Sequence, residues 1–374
     1  MKFKITVITV CCNEKYQLKS TIESVCNQTY PDVEYLIIDG ASTDGTIDMM
    51  SEYSRHSCIS FFSEKDHGIY NAMNRGIARA NGDYIVFINA GDGFYSEHTI
   101  ADMISYFKDD DTIYYGKTCL IYPDGLKKIQ DFSKQEGSFE EKLLNGYMPN
   151  HQAIFAPRRS LTDHYFRESY QVRADYEWLL YSVSKGCKCE NVPVIVSYYD
   201  MSGMSSRIKN SVILRKESVD ILNEYRMLSK RKKVICQEKD VEEDRQETES
   251  KYRHMFQFMN YWMAIRQKGI SIGRYVQEKG YKNIAVYGVG SIGLRLLEEL
   301  RGYGIDVRYA VDRNATELCS DIRIITAEEK LEEAEVMIVT AINDFNEIKE
   351  QLCKKICFPI VSLEDIVYEA SSQC

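Results

Sequence analysis

The sequence predicts an α/β protein with a larger doubly wound domain, a helical connector and a smaller parallel α/β domain. Three observations lead to this fold class. Strand-like and helix-like segments alternate four times in residues 1–92, the composition becomes strongly charged in residues 207–280, and a glycine-rich turn follows a strand-like segment after residue 281. Such alternation is typical of a parallel sheet covered by helices. We therefore expect domains at residues 1–206 and 281–374, joined by residues 207–280.

Four short apolar segments are predicted to form the parallel strands of the first domain. They are rich in β-branched and aromatic residues and are separated by turns and segments of helical spacing. These strands are Ile5–Val10, Val33–Ile38, Cys58–Phe62 and Tyr84–Ile88. A helix over Tyr16–Gln28 follows the first strand.

The stretch from Ser63 to Asp92 joins an acidic turn, a helix and a strand that ends in a carboxylate. Its apolar residues recur at intervals of three and four, which places them on one helix face. They are Ile69, Ala72, Met73, Gly76, Ile77 and Ala80. Open α/β sheets bind ligands outside the carboxyl ends of their strands, so we interpret this stretch as the floor of an active site.

The pattern loosens after Asp92. A helix is predicted over Thr99–Phe107, another opens within Val172–Glu177, and strands are predicted over Thr112–Tyr122, Leu126–Gln130 and Ala153–Phe155. Antiparallel additions to a parallel core are common, so a mixed sheet is expected.

Three carboxylates are predicted to converge at one edge of the sheet. Asp39 and Asp92 follow strands, and Asp66 lies in the turn before a helix. Each residue alone is also compatible with an ordinary turn or helix cap. Together they indicate a site that surrounds a single ligand.

The overall composition limits the classes of function. A net charge of −9 disfavours a general nucleic-acid binder, which needs a basic field. Residues 1–10 lack the features of a signal peptide, and apolar runs of membrane-spanning length are missing from the sequence. The twelve cysteines have no repeated metal-site spacing, so we expect reduced thiols in the cytoplasm.

The connector is predicted to be helical and has three interpretations. Ile208–Leu228 is amphipathic, Lys230–Lys233 is basic, Gln237–Lys251 is acidic and Tyr252–Ile265 is rich in aromatic residues and methionine. It can pack on the first domain, pair with a second copy in a homodimer, or place its basic patch on anionic lipid head groups.

The C-terminal segment has the pattern of a Rossmann-like domain. A strand over Lys282–Tyr287 precedes Gly288, Gly290 and Gly293, and Asp312 ends the next strand. Gly-x-Gly-x-x-Gly with an acid about twenty residues later is typical of a dinucleotide site, so NAD(P) or another nucleotide is a candidate ligand. The same glycines can serve close packing alone.

Five motifs in fixed order resemble the inverting family 2 glycosyltransferases of GT-A fold, as found in bacterial polysaccharide biosynthesis. The motifs are ITVITVCCNE, QTYPDVEYLIIDGASTDGT, EKDHGIYNAMNRGIARANGDYIVFINAGD, NHQAIF and RADYEWLL. The resemblance covers residues 5–206. It implies transfer of a sugar from a nucleoside-diphosphate donor, usually a uridine nucleotide, to a hydroxyl of a glycan or lipid-linked acceptor.

The resemblance also implies a role for each matching residue. Asp175 is the expected catalytic base, and Asp92 is the expected ligand of Mg²⁺ or Mn²⁺ on the diphosphate. His151 and Gln152 are expected on the diphosphate or acceptor side. The residues expected around the donor nucleotide are Thr9, Asn13, Glu14, Asp39, Asp66 and Asn74.

One position departs from the family pattern. Gly91 stands where many relatives carry a further aspartate, which leaves Asn89 and Asp92 at the metal position. Mg²⁺ commonly uses few protein ligands, so metal binding stays compatible with this sequence.

The leading hypothesis is therefore a metal-dependent hexosyltransferase in cell-surface polysaccharide synthesis. We expect it in the cytoplasm, with peripheral contact at the inner face of the membrane as one option. The rival hypotheses are an NAD(P)-dependent sugar oxidoreductase that uses the C-terminal domain, and a scaffold without catalysis.

Overall fold

A computed structural model describes residues 2–53, 58–122, 125–201, 208–228 and 238–372. The chain divides into two compact units, Met1–Pro123 with Lys128–Lys233, and Asp124–Lys127 with Val234–Cys374. The predicted connector is split between them, because its first helix belongs to the first unit and its second helix to the other. The predicted domain boundaries at residues 206 and 280 stay predictions.

The first unit is built on a mixed β-sheet. Its strands are β1 Ile5–Cys11, β2 Val33–Asp39, β3 Ile59–Ser63, β4 Tyr84–Phe87, β5 Gly93–Phe94, β6 Ile113–Ile121, β7 Lys127–Gln130, β8 Ile154–Pro157 and β9 Cys189–Asp200. The order is β7-β6-β8-β4-β1-β2-β3, with β9 beside β6 and β5. Strand β1 is parallel to β2 and β4, whereas β8 is antiparallel to β4 and β6. The predicted mixed sheet with a parallel centre is confirmed.

Helices cover both faces of this sheet. They are α1 Lys15–Cys26, α2 Thr46–Met50, α3 Ile69–Arg79, α4 Thr99–Ile104, α5 Phe139–Leu144, α6 Arg158–Asp163, α7 Ala174–Ser184 and α8 Ile208–Leu228. One buried cluster contains the apolar side of α3 and most of α7, and another contains Leu18 and Ile22 of α1. The buried face of α3 contains Ala72, Met73, Gly76 and Ile77 as predicted, but Ile69 is exposed and Tyr70 is buried instead.

The second unit contains a parallel sheet, as predicted for the C-terminal segment. Its elements are α9 Glu238–Gln267, α10 Ile272–Glu278, β10 Asn283–Tyr287, α11 Ser291–Arg301, β11 Asp306–Val311, β12 Leu318–Cys319, β13 Ile324–Ile325, β14 Val336–Val339, α12 Phe345–Leu352, β15 Ile360–Ser362 and α13 Leu363–Ser372. The sheet order is β13-β11-β10-β14-β15. Neighbouring strands along this order are parallel.

The two helices of the connector pack against different cores. Ile221 and Tyr225 of α8 are buried in the first unit, as expected of a connector that packs on that domain. Phe258 and Trp262 of α9 are instead buried among the residues of the second unit. The basic run Lys230–Lys233 lies outside the described residues. Among those that are described, helices with the length and apolarity needed to cross a bilayer are absent.

Candidate active site

The loops that follow β1 and β2 are locked together at the carboxyl edge of the sheet. The Asn13 backbone N–H donates to Ser42 Oγ at 2.7 Å, and Asn13 Oδ1 accepts from the Thr43 backbone N–H at 2.8 Å. Asn13 and Ala41 have positive φ angles of 55° and 61°, which are unusual for residues other than glycine. Strained backbone of this kind concentrates at functional sites.

The turns that carry Asp39 and Asp66 meet at this edge. The Asp39 carboxylate is fully buried and accepts hydrogen bonds from the backbone N–H and hydroxyl of Ser42 and from Ser63 Oγ at 2.6 Å. A Cβ placed on Gly40 would lie 2.5 Å from Asp66 Oδ2. Gly40, the residue after Asp39, therefore lies against the Asp66 side chain, and Asp39 itself is buried.

Asp92 is a buried carboxylate with two donors. Its Oδ2 accepts from Gln152 Nε2 at 2.6 Å, and its Oδ1 accepts from the Asp200 backbone N–H at 2.8 Å. Burial raises the pKa of Asp92 to about 7, because loss of hydration outweighs the two hydrogen bonds, and the charges of Asp200 and Glu14 add to the rise. Such a carboxylate favours a nearby positive charge.

The backbone explains the glycine beside Asp92. Gly91 has a φ of 95°, in the left-handed region where an aspartate would be strained. The absence of a second aspartate at this position is therefore consistent with the local chain path.

His151 connects the end of β4 to the predicted catalytic base. His151 Nδ1 lies 3.5 Å from Asp175 Oδ2, and His151 Nε2 lies 3.3 Å from Asn89 Nδ2. Burial lowers the pKa of His151, although the charge of Asp175 opposes this. A proton on Nδ1 would face the Asp175 carboxylate and leave Nε2 to accept from the Asn89 amide.

The Asn89 side chain is oriented in agreement with this arrangement, with its Nδ2 toward His151 Nε2. With its Nδ2 facing His151, Asn89 Oδ1 is left buried with no hydrogen-bond partner. An unsatisfied buried acceptor costs about 1–3 kcal/mol, and a bound cation, a ligand donor or a water would each satisfy this oxygen. Asn89 Oδ1 and the Asp92 carboxylate are both oxygen donors of the kind that Mg²⁺ and Mn²⁺ bind. Within the described residues, clusters of three or more acidic, histidine or cysteine ligands are absent.

Other predicted donor residues have structural contacts of their own. Thr9 Oγ1 is buried and lies 2.7 Å from the Ile88 carbonyl and 2.9 Å from the Tyr35 hydroxyl. Asn74 bonds both the N–H and the carbonyl of Phe166, at 3.0 and 2.9 Å. Glu14 stands at the start of α1, where its charge reaches Asp92. Their roles toward a nucleotide stay predictions.

Two residues at the site were missed by sequence reasoning. The Tyr70 hydroxyl donates to Asp175 Oδ1 at 3.2 Å, and the Asp200 N–H donates to Asp92. Tyr70 lies within a predicted helix, but nothing in its local pattern distinguishes it from a core residue. Asp200 ends β9, a strand that the sequence analysis did not predict.

The glycine motif of the second unit borders a cavity of about 410 Å³. Gly293 has no room for a Cβ against the Gly288 carbonyl, whereas a Cβ on Gly290 would meet nothing within 4 Å. Asp312 Oδ2 accepts from the Val289 N–H at 2.8 Å and so closes the glycine loop. Close packing therefore explains why position 293 is a glycine, but it does not explain the glycine at position 290.

The sequence of the first unit matches a described family. Residues 6–166 match the model of "Glycosyl transferase family 2". The matched segment, residues 6–166, belongs to glycosyl transferase family 2. In this glycosyltransferase domain the match ends before Asp175, so the base position lies beyond the matched segment.

Curated relatives of this glycosyltransferase are found in mycobacteria and a spirochaete. The PGL/p-HBAD biosynthesis glycosyltransferase of Mycobacterium tuberculosis is 28% identical over 218 residues, which cover 56% of this chain and 82% of the relative. The cholesterol galactosyltransferase of Borreliella burgdorferi is 32% identical over 92 residues, or 24% of this chain and 26% of the relative.

Two solved structures have a partial likeness to this chain. S. aureus TarS 1-349 aligns with a TM-score of 0.47 and 15% identity, over 58% of this chain and 65% of that chain. The mannosyltransferase PcManGT from Pyrobaculum calidifontis, in complex with GDP-Man and Mn²⁺, aligns with a TM-score of 0.44 and 16% identity. That alignment covers 63% of this chain and 66% of the mannosyltransferase.

The raised pKa of Asp92 predicts that the free energy of unfolding of the metal-free protein depends on pH. The pKa is about 7 in the folded protein against a usual value of 3.8, so between these pH values the folded state holds the extra proton. The free energy of unfolding should then fall as pH rises, by up to about 1.4 kcal/mol per pH unit. Asp92→Asn removes this titration and should gain stability relative to wild type as pH rises from 4.5 to 7.

Denaturant unfolding of both proteins in EDTA measures this difference. Asp102→Asn, a change at an exposed carboxylate, is the control and should follow the wild-type pH dependence. If the difference in free energy of unfolding between Asp92→Asn and wild type does not change across this pH range, the Asp92 pKa is not raised.

Proposed function

We propose that the chain transfers a sugar from a nucleoside-diphosphate donor to a hydroxyl of a glycan or lipid-linked acceptor. The observation that carries this proposal is the turn Asn150–Ala153, whose two middle side chains contact Asp92 and Asp175. It brings a carboxylate suited to a diphosphate-bound cation and a carboxylate suited to general-base catalysis into one site. An inverting course is what the family resemblance implies.

The donor side is assigned to the ends of β1, β2 and β4. Asp92 and Asn89 Oδ1 would hold Mg²⁺ or Mn²⁺, which when bound neutralises the charge that develops on the diphosphate leaving group. Their fit to a cation is supported by the raised pKa of Asp92 and the unsatisfied Asn89 oxygen. The nucleotide is assigned to the interlocked loops of Asn13 and Asp39 together with Asp66.

The acceptor side is assigned to Asp175. Its Oδ1 accepts from the Tyr70 hydroxyl and from the Tyr176 N–H at 2.8 Å, whereas Oδ2 has the longer contact to His151. We assign proton uptake from the acceptor hydroxyl to Oδ2, because Oδ1 is already held by two donors. His151 and Tyr70 then orient the carboxylate.

The class of acceptor is proposed from chemistry and from the relatives. Two relatives are named for PGL/p-HBAD biosynthesis and for cholesterol galactosylation, so lipid-bearing acceptors are a consistent choice. A cytoplasmic protein with peripheral membrane contact through Lys230–Lys233, and a homodimer through the connector, stay part of this proposal. An oxidoreductase and a non-catalytic scaffold are the competing functions.

Nucleotide-sugar turnover separates these functions. Incubation with a panel of nucleotide sugars and Mn²⁺ should release the nucleoside diphosphate slowly without an acceptor. A protein that reduces NAD(P) with sugar substrates instead, or that turns over no donor, would contradict the transferase assignment.

Asp175→Asn should lower the rate of transfer by about 10²- to 10⁴-fold, because the general base is removed while its shape is kept. Binding of UDP with Mn²⁺, measured by titration calorimetry, should stay close to wild type. Asp163→Asn, at a carboxylate that is 65% exposed, is the matched control and should keep full activity. Full transfer by Asp175→Asn to a real acceptor would show that another group is the base.

We also propose that the cavity of the second unit binds a nucleotide, of which NAD(P) is one candidate. The supporting observation is Gly290, which has an ordinary φ of −70° and open space where its side chain would be. Neither backbone conformation nor packing requires glycine there, whereas close approach of a phosphate to the loop does.

Gly290→Val tests this second site with little expected change in thermal stability. Binding of NAD, NADP or ADP, followed by fluorescence or calorimetry, should be lost in the variant and kept in wild type. Gly302→Ala, at the end of α11, is the control substitution. Failure of the wild-type protein to bind any of these at millimolar concentration would reduce the glycine motif to a packing role.

A further inference from the structure

A carboxylate from α8 lies at the entrance of the helix that carries the proposed base. Glu217 is only 8% exposed. Its Oε1 accepts from the Gln171 backbone N–H at 2.7 Å, and its Oε2 accepts from the N–H groups of Val172 and Arg173, both at 3.0 Å. One side chain thus holds three consecutive backbone donors that lead directly into α7.

One of these contacts serves the N-terminus of α7, because the Arg173 N–H belongs to its N-cap residue. Helix α7 begins at Ala174, and the side chain of the capping residue Arg173 makes no capping hydrogen bond. A helix N-terminus has unsatisfied N–H groups and a positive dipole end, so a buried carboxylate from another helix is favourable there. Asp175 is the second residue of α7, and the path of residues 171–173 therefore decides where its carboxylate points.

The same entrance is fixed from its other side. Arg173 Nε donates to Ser218 Oγ at 2.9 Å, and its guanidinium donates to the Gly146 carbonyl at 3.0 Å. The guanidinium also lies 4.4 Å from the centre of the Tyr176 ring. Arg173 and Tyr176, on either side of Asp175, are thus held in place, and Arg173 is held in part by Ser218 of α8.

A second anchor attaches α8 farther along α7. The Tyr225 hydroxyl donates to the buried Glu177 at 2.7 Å, and Glu224 forms two hydrogen bonds with Arg167 at 2.8 and 2.9 Å. Ile221 between the anchors is fully buried. Docking of α8 therefore does not depend on Glu217 alone, which allows the entrance contact to be tested separately.

We propose that Glu217 is a positioning residue for the base Asp175. It holds the backbone of residues 171–173 so that the Asp175 carboxylate keeps its place beside Tyr70 and His151. This inference rests on the proposed transferase function, and it adds α8 to the machinery that sets the reaction rate. Donor binding, which is assigned to the opposite half of the site, does not depend on Glu217.

Three variants on α8 test this role. Glu217→Ala removes all three acceptor contacts and should lower kcat by about 10- to 100-fold, since a displacement of about 1 Å has effects of this size. Glu217→Gln keeps an acceptor oxygen on one side of the carboxylate position and should retain more activity. Glu224→Gln makes the same chemical change at the second anchor and should keep kcat near wild type.

Two further readouts separate positioning from folding. The KM for the donor and the Kd for UDP with Mn²⁺ should stay within about twofold of wild type in all three variants. Hydrogen exchange at the amides of residues 171–173 should accelerate in Glu217→Ala but not in Glu224→Gln. A loss of kcat with unchanged donor binding and faster exchange at these amides supports the proposal.

The outcomes that overturn the proposal are distinct. If the wild type is active but the kcat of Glu217→Ala is no lower than that of Glu224→Gln, the positioning role alone is overturned. A parallel loss of kcat and UDP binding also overturns it, because the effect then reflects the fold of the whole site. A wild type that releases nucleoside diphosphate from no donor overturns the transferase function, and the positioning role with it.

Discussion

The short turn Asn150–Ala153 is the constraint on which the proposed active site depends. Gln152 is fully buried, and its amide accepts from the Asn89 N–H at 3.1 Å while donating to Asp92 at 2.6 Å. A buried amide with both ends satisfied has one orientation. It therefore fixes the chain after β4, which delivers Asp92. His151 is the preceding residue and faces the other half of the site, toward Asp175. The geometry of one turn thereby sets the relation between the two carboxylates.

The buried polar groups that are energetically unfavourable in this site lie on one side of this turn. Asp92 is buried with a raised pKa, and Asn89 has a buried oxygen without a partner. Asp39, by contrast, is buried with several donors around it. Proteins tolerate local costs of this kind where a ligand removes them on binding. The contrast supports Asp92 and Asn89 as the residues that meet the charged part of the donor, and Asp39 as a support for the loops around the nucleotide.

Local patterns were sufficient to predict the centre of the fold and many of the polar residues at its edge. The strands β1, β2 and β4 have unambiguous apolar cores, and parallel strands must place the residues after them at the same edge. This is why the turns that carry Asp39 and Asp66 could be expected to meet, and Gly40, next to Asp39, does lie close to Asp66. The contacts that define the chemistry could not be predicted in this way. Tyr70 reaches Asp175 across 105 positions of sequence, and Asp200 reaches Asp92 across 108.

The role of Glu217 was even less predictable from local sequence patterns. In the sequence it is one acid on an amphipathic helix, and its three backbone partners become visible only when α8 is docked on the first unit. The composition of the connector likewise suggested a single module, whereas its two helices pack in separate cores. Amphipathic spacing predicts that a helix has a buried face, but it does not identify the surface that covers this face.

A crystal structure of the full chain with UDP and Mn²⁺ is the most direct test of the central claim. The account predicts anomalous density for Mn²⁺ bound to the Asp92 carboxylate and Asn89 Oδ1, with the diphosphate on the metal and Asp175 free of it. Density for the metal and diphosphate at another place in the first unit, or UDP bound with Asp92 still bonded only to Gln152 and Asp200, would contradict it.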